Sequence, residues 1–152
     1  MGWWSAHIMG GDLPLDFQGE IFEICETDFE EKLTAQSLEA NLPQIVKKLR
    51  EDNDTSIGFQ VLGYLVMTTG ATISPELKSE IITWSKRDDE WAADGDSERD
   101  MIIRNFCKSL EKYDGKPVII NEDGTLKETQ EEIQEIPISE AITIAKRDLQ
   151  YA

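Results

Sequence analysis

The residues able to do chemistry in this chain are few, and several crowd into its first sixteen positions: Trp3, Trp4, His7, Asp12 and Asp16. His7 is the single imidazole. A Ser-His-Asp triad, and most zinc sites, would have to be built on it. Two indoles and two carboxylates nearby are enough to wall a pocket. That constellation supports one reading, a small-molecule-binding domain or hydrolase whose site is the N-terminal Trp/His/Asp segment. The competing reading is an N-terminal segment that packs into the fold.

Other groups nominate less. Cys25 and Cys107 stand far apart, each beside apolar neighbours, in the manner of inert small hydrophobes rather than nucleophiles. Their number and spacing fit neither a disulfide framework nor a zinc site. The run from Asp88 to Asp100 is acid-rich, but counting a calcium loop from Asp94 puts glycine at the second position and Arg99 at the sixth, where glycine is required. Gly10-Gly11 matches no phosphate-binding spacing and precedes an aspartate, which repels anions. No catalytic dyad is singled out among so many carboxylates. The expectation is a chain with no catalytic residues, no cofactor and no metal.

Charge narrows the partners. With 31 acidic against 15 basic residues the net charge is −16. Recognition of a phosphate backbone needs Lys and Arg, so direct nucleic-acid binding is excluded, and an anionic membrane surface is disfavoured for the same reason. Two roles remain for the acidity: solubility, or a face for a basic protein. The candidate face comprises Glu20, Glu23 and Glu26 on a first helix, with Asp28, Glu30 and Glu31 in the connector behind it. Such a face belongs to interaction proteins of bacterial or phage type: antitoxin-like, immunity-like or nucleic-acid-mimic.

The elements that must position these groups are mainly helical. Leu13, Phe17, Ile21, Ile24 and Cys25 recur at helical spacing, which predicts a helix over about 13–26 with Asp12 as its cap. A second helix is expected from Ser37 or Asn41, carrying Leu42, Ile45, Val46 and Leu49. A third, capped by Ser56, is apolar nearly all round and so belongs at the centre. Gly58 and Gly63 weaken it by about 1 kcal/mol each relative to alanine, and close packing against neighbours is the reason to keep them.

Ser74-Pro75-Glu76 combines a cap, a first-turn proline and an acid at the positive end of the dipole, so a fourth helix starts there and carries Leu77, Ile81, Trp84 and Trp91. A fifth, capped by Ser97, presents Met101, Ile103, Phe106, Cys107 and Leu110, and stops at Asp114-Gly115. Two short strands around Asn121–Gly124 predict a small β-hairpin near 118–127. A last helix opens at Ser139. The expected architecture is one all-α domain over 1–152, of five to six helices with that hairpin. A chain of this length buries about 68–70% of its unfolded surface.

No stretch reaches the roughly 20 apolar residues of a membrane span, and the opening has neither a basic n-region nor a myristoylation pattern, so the expected location is cytoplasmic. The opening Met1-Gly2-Trp3-Trp4-Ser5, followed by a glycine-aspartate turn and an amphipathic helix, resembles a group of small uncharacterised bacterial domains that begin Met-Gly-Ala-Trp-Gly. It departs from them at Trp3 and Ser5. The resemblance covers about sixteen residues, implies that the N-terminal tryptophan is part of the fold, and carries over no functional residue.

Two exposed indoles at a terminus would cost solubility for no gain. Deletion of residues 2–11 is therefore expected to lower the melting temperature by several degrees, as loss of a few kcal/mol does at about this length. An unchanged thermal melt by circular dichroism would show that the segment contributes no packing.

Overall fold

A helix buried on every side has to be surrounded, and the third helix of this chain sets the plan of the fold. The computed structural model describes residues 8–27, 32–88 and 97–127, which form five helices: α1 (Asp12–Ile24), α2 (Ala35–Arg50), α3 (Thr55–Thr69), α4 (Pro75–Arg87) and α5 (Ser97–Lys112). Helices α1, α2 and α4 pack on α3, and α5 packs on α4. Ile57, Phe59, Val61, Leu62, Val66 and Met67 of α3 have no exposed surface. Full burial of each such side chain contributes about 1.5–3 kcal/mol.

The two glycines of α3 are contact points, as their sequence context predicts. A Cβ on Gly58 would lie 2.6 Å from Leu49 Cδ2, and one on Gly63 would lie 3.0 Å from Ile81 Cγ2 and 3.1 Å from Phe106 Cζ. Helices α2, α4 and α5 thus reach the α3 backbone where it lacks a side chain. On the exposed side of that contact Trp84 stacks on Phe59, with centroids 6.0 Å apart and rings 4° from parallel, and the Arg87 guanidinium lies 4.7 Å above the indole.

Helix starts follow local chemistry, with some shifts. Ser74 caps α4 through a hydrogen bond from the Leu77 N–H to its Oγ, with Pro75 opening the helix. Helix α2 starts earlier than Ser37 because Thr34 accepts from the Ser37 N–H and caps it at Ala35. In α1 the cap position belongs to Gly11 and makes no side-chain bond; Asp12 is the first helical residue and faces the dipole instead. Asp54, not Ser56, precedes α3, and Ser56 is buried in its first turn. On α5, Met101 is 41% exposed, contrary to its expected place on the apolar face. That face runs through Arg99, Ile102, Ile103, Phe106, Cys107 and Leu110, all buried. An arginine holds a position that the helical period assigns to the core.

The hairpin near 118–127 is not formed. A single antiparallel bridge joins Ile120 and Leu126, and no sheet is present among the described residues. The turn does close, with the Gly124 N–H bonded to Asn121 O at 2.9 Å. Its flanks share two backbone bonds, Asn121 N–H to Thr125 O and Lys127 N–H to Ile119 O, both 2.8 Å, and the segment is otherwise tied to helices. Asn105 Nδ2 donates to Asp123 O at 2.9 Å, Ser109 Oγ to Gly124 O at 2.8 Å, and the Val118 N–H to Met67 O at 2.9 Å. Trp91, the fourth helix beyond Asp88, and the helix expected from Ser139 lie outside the described residues.

Gly115 and Gly124 separate two costs. Both have positive φ, +99° and +88°, but a Cβ on Gly115 meets nothing closer than 3.9 Å, whereas one on Gly124 would lie 2.5 Å from Ile102 O and 2.9 Å from Phe106 N. Gly115→Ala is expected to cost about 1–3 kcal/mol from backbone strain alone. Gly124→Ala should cost clearly more, because helix backbone cannot yield. Urea denaturation of the two variants measures this, and equal losses would mean that the turn is not seated on α5.

Candidate functional site

Two clusters of polar residues stand out, one sealed and one open. The sealed cluster is built where α4 ends and α5 begins. Arg99, in the first turn of α5, has no exposed surface. Its Nε donates to Asp88 Oδ2 at 2.9 Å, and its Nη2 donates to Asp88 Oδ1 at 2.9 Å and to Gln60 Oε1 at 2.7 Å. Gln60 Nε2 donates in turn to Asp88 Oδ1 at 2.8 Å and to Ser85 O at 3.3 Å. Asp88 is the C-cap of α4 with φ +43°, a left-handed conformation that aspartate tolerates better than most residues.

A buried guanidinium is stable only with its donors answered by an anion and by hydrogen bonds. Here both carboxylate oxygens and both ends of the amide are engaged. These bonds tie the ends of α4 and α5 to α3. Sequence reasoning passed over it. The available signal was Gln60, one amide in an otherwise apolar helix, which has to find partners inside the protein.

The open cluster is on α1. Asp12, Asp16, Glu20 and Glu23 follow one another at steps of four, four and three, which places them in a row along the helix. Glu26 continues the row just past its end. Leu15, Asp16, Gly19, Glu20, Phe22, Glu23, Glu26 and Thr27 line a shallow groove of about 750 Å³, with Leu15 41% exposed. No basic residue occurs within α1. Lys48 of α2 lies 3.4 Å from Glu20, an exposed pair whose contribution is at most about 1 kcal/mol.

The end of α1 is unusual. The Glu26 N–H bonds to Glu23 O at 3.0 Å and the Thr27 N–H to Phe22 O at 2.8 Å. This is the Schellman pattern, in which the residue at the Glu26 position is left-handed and generally glycine. Glu26 has φ +56°. An acid therefore occupies a position that favours glycine, at the negative end of a helix dipole that favours a base.

Of the predicted acidic face, Glu20, Glu23 and Glu26 share this groove, while Asp28, Glu30 and Glu31 lie outside the described residues. Of the alternative pocket, Asp12 and Asp16 are exposed on α1, while Trp3, Trp4 and His7 also lie outside them. Both cysteines are buried free thiols. Burial pushes the Cys107 thiol up to about 11 and raises that of Cys25, so neither is a thiolate at neutral pH. Among the described residues, no group of three or more His, Cys, Asp or Glu is placed to hold a metal ion, and no helix is long and apolar enough to cross a membrane. Neither a protein-family model, nor a curated protein, nor a solved structure matches this chain.

The sealed cluster can be tested by a double-mutant cycle in urea. Arg99→Met alone leaves a buried carboxylate unpaired and should cost about 3–5 kcal/mol. Asp88→Asn alone removes the Asp88 carboxylate charge from the guanidinium. The double variant should cost less than the sum of the two, by about 1–3 kcal/mol. Strictly additive losses would show that the pair is not coupled.

Proposed function

We propose that this chain is a non-catalytic interaction protein whose α1 face binds a basic protein partner, in the manner of antitoxins, immunity proteins or nucleic-acid mimics of bacterial or phage type. The observation that carries the reading is the row Asp16, Glu20, Glu23 and Glu26, assembled against local stability. Like charges one helical turn apart destabilise a helix by about 0.2–0.5 kcal/mol per pair. Acids in its last turn oppose the dipole, and a non-glycine residue in the left-handed cap adds strain. Solubility alone is served by acids anywhere on the surface. Their concentration where the fold disfavours them, around a groove with an exposed leucine, fits a surface selected for contact.

The chemistry follows from that arrangement. A row of carboxylates along about three turns presents negative potential to Lys and Arg side chains, accelerates association, and loses strength as salt screens it. Leu15 and the edge of Phe22 supply apolar contact beneath the charges. Gly19 leaves space between the acids for a partner side chain to approach the helix.

The reading makes a joint expectation. Glu23→Lys should raise stability by about 0.3–1 kcal/mol, because it removes like-charge repulsion and places a base at the dipole's negative end. The same substitution should slow association with the partner, recovered by pull-down and mass spectrometry, more than it speeds dissociation. Glu26→Gly should behave likewise, gaining stability through relief of the left-handed strain. Surface plasmon resonance at several salt concentrations, paired with thermal melts, measures both halves. A partner whose binding ignores salt and both substitutions would reduce the row to surface charge.

A further inference from the structure

A second surface, separate from α1, has a different character. Helices α2 and α4 both pack on α3, and residues of both line one groove. Helix α2 is tied to α4 at one end of it and to the α3–α4 loop at the other. At one end Arg50 grips Glu80 with two hydrogen bonds of 2.9 and 2.7 Å; at the other Glu39 accepts from the Thr72 N–H at 2.6 Å. Between these ties runs a groove of about 570 Å³ with Leu42, Val46, Ile73 and Leu77 along it. Leu42, Ile73 and Leu77 are only partly covered. At 1.5 Å per residue the α2 side, from Glu39 to Arg50, is about 16 Å long, close to three turns of helix.

We infer that this groove receives one amphipathic helix of a basic partner protein, its apolar stripe on Leu42, Val46, Ile73 and Leu77 and its lysines or arginines over the rim carboxylates. Three observations select that occupant. The polar groups at the two ends are engaged with each other, so the floor offers apolar contact rather than the convergent free donors and acceptors that hold a small polar ligand. Two helices with a gap between them present the geometry into which a third helix lays an apolar stripe at i, i+3, i+4 and i+7. The rim carries three acids, Glu39, Glu76 and Glu80, against one base, Arg50, and so stays acidic even with Arg50 and Glu80 paired, which makes the complementary flank basic. A second copy of this chain, itself at −16, meets the rim with the wrong sign. The α1 reading can fail without touching this one, and the reverse.

The test uses the full-length protein, labelled with ¹⁵N, and a synthetic peptide of about four helical turns with leucines at i, i+3, i+4 and i+7 and lysines elsewhere. Two control peptides have the same composition in scrambled order, or glutamate in place of lysine. Amide shifts should appear at Leu42, Val46, Ile73 and Leu77, and both controls should bind at least about tenfold more weakly. Leu42→Ala and Leu77→Ala should each weaken binding several-fold. Should either variant unfold, a spin label on the peptide, broadening the same amides in the unsubstituted protein, gives the equivalent readout. Shifts confined to α1, equal binding of the scrambled peptide, or no shift at millimolar peptide would each overturn the inference. So would contacts from residues 128–152 to the groove in the free chain, or self-association abolished by Leu42→Ala, since each assigns the groove to another occupant.

Discussion

A guanidinium shut away from water constrains everything around it. Arg99 has to be met by Asp88 and Gln60 at once, and those three residues belong to α5, the end of α4 and the middle of α3. Their bonds hold only if α4 stops at Arg87, if Asp88 turns left-handed, and if α3 presents Gln60 on the side where α4 and α5 meet. Hydrophobic burial is indifferent to register, whereas a forked pair with an amide in its angle is satisfied in one arrangement. The greasy contacts at Gly58 and Gly63 set how closely the helices approach. The polar cluster adds a condition of direction that close packing alone does not impose.

The α1 face shows the opposite relation to stability. Nothing in the core needs Glu23 or Glu26, and the helix would be better formed with a base and a glycine there. Compensation is visible in this chain: α1 buries Phe17, Ile21 and Phe22 against its neighbours, and its first turn carries Asp12 at the favourable end of the dipole. The same helix is thus well anchored on its inner side and electrostatically unfavourable on its outer side.

Much of the scaffold was legible because helical periodicity and capping are local. Ser74-Pro75-Glu76 marked its helix start, and the all-round apolar run of α3 announced a central helix whose glycines are packing points. The failures share a cause, which is that a remote partner decides the outcome. Residues 118–127 alternate like a hairpin, but Asn105 and Ser109 offer side-chain bonds to the turn, and Gly124 lets it sit on α5, so the ladder never extends. Nothing local marks Arg99 as buried, because Asp88 and Gln60 decide it from a distance; on the expected face of α5 Ile103, Phe106, Cys107 and Leu110 are buried and Met101 alone is exposed. The acids of α1 were identifiable as a group; the left-handed turn at Glu26 was not, because a glutamate gives no local sign of it.

Tyr113, just past the end of α5, has one more consequence. Its hydroxyl lies 2.5 Å from Ala71 O and 3.0 Å from Val66 O, donating its hydrogen between two carbonyls at the end of α3, and burial pushes the phenol up to about 12. More than forty residues separate these partners, with α4 and α5 between them. Neighbouring helices can pair early because little chain entropy is lost in closing short loops. The phenol reaches its acceptors only where the end of α5 meets the end of α3. The Tyr113 bond therefore closes a loop that holds α4 and α5 whole, and it fastens the end of α5 to the end of α3 across everything between them.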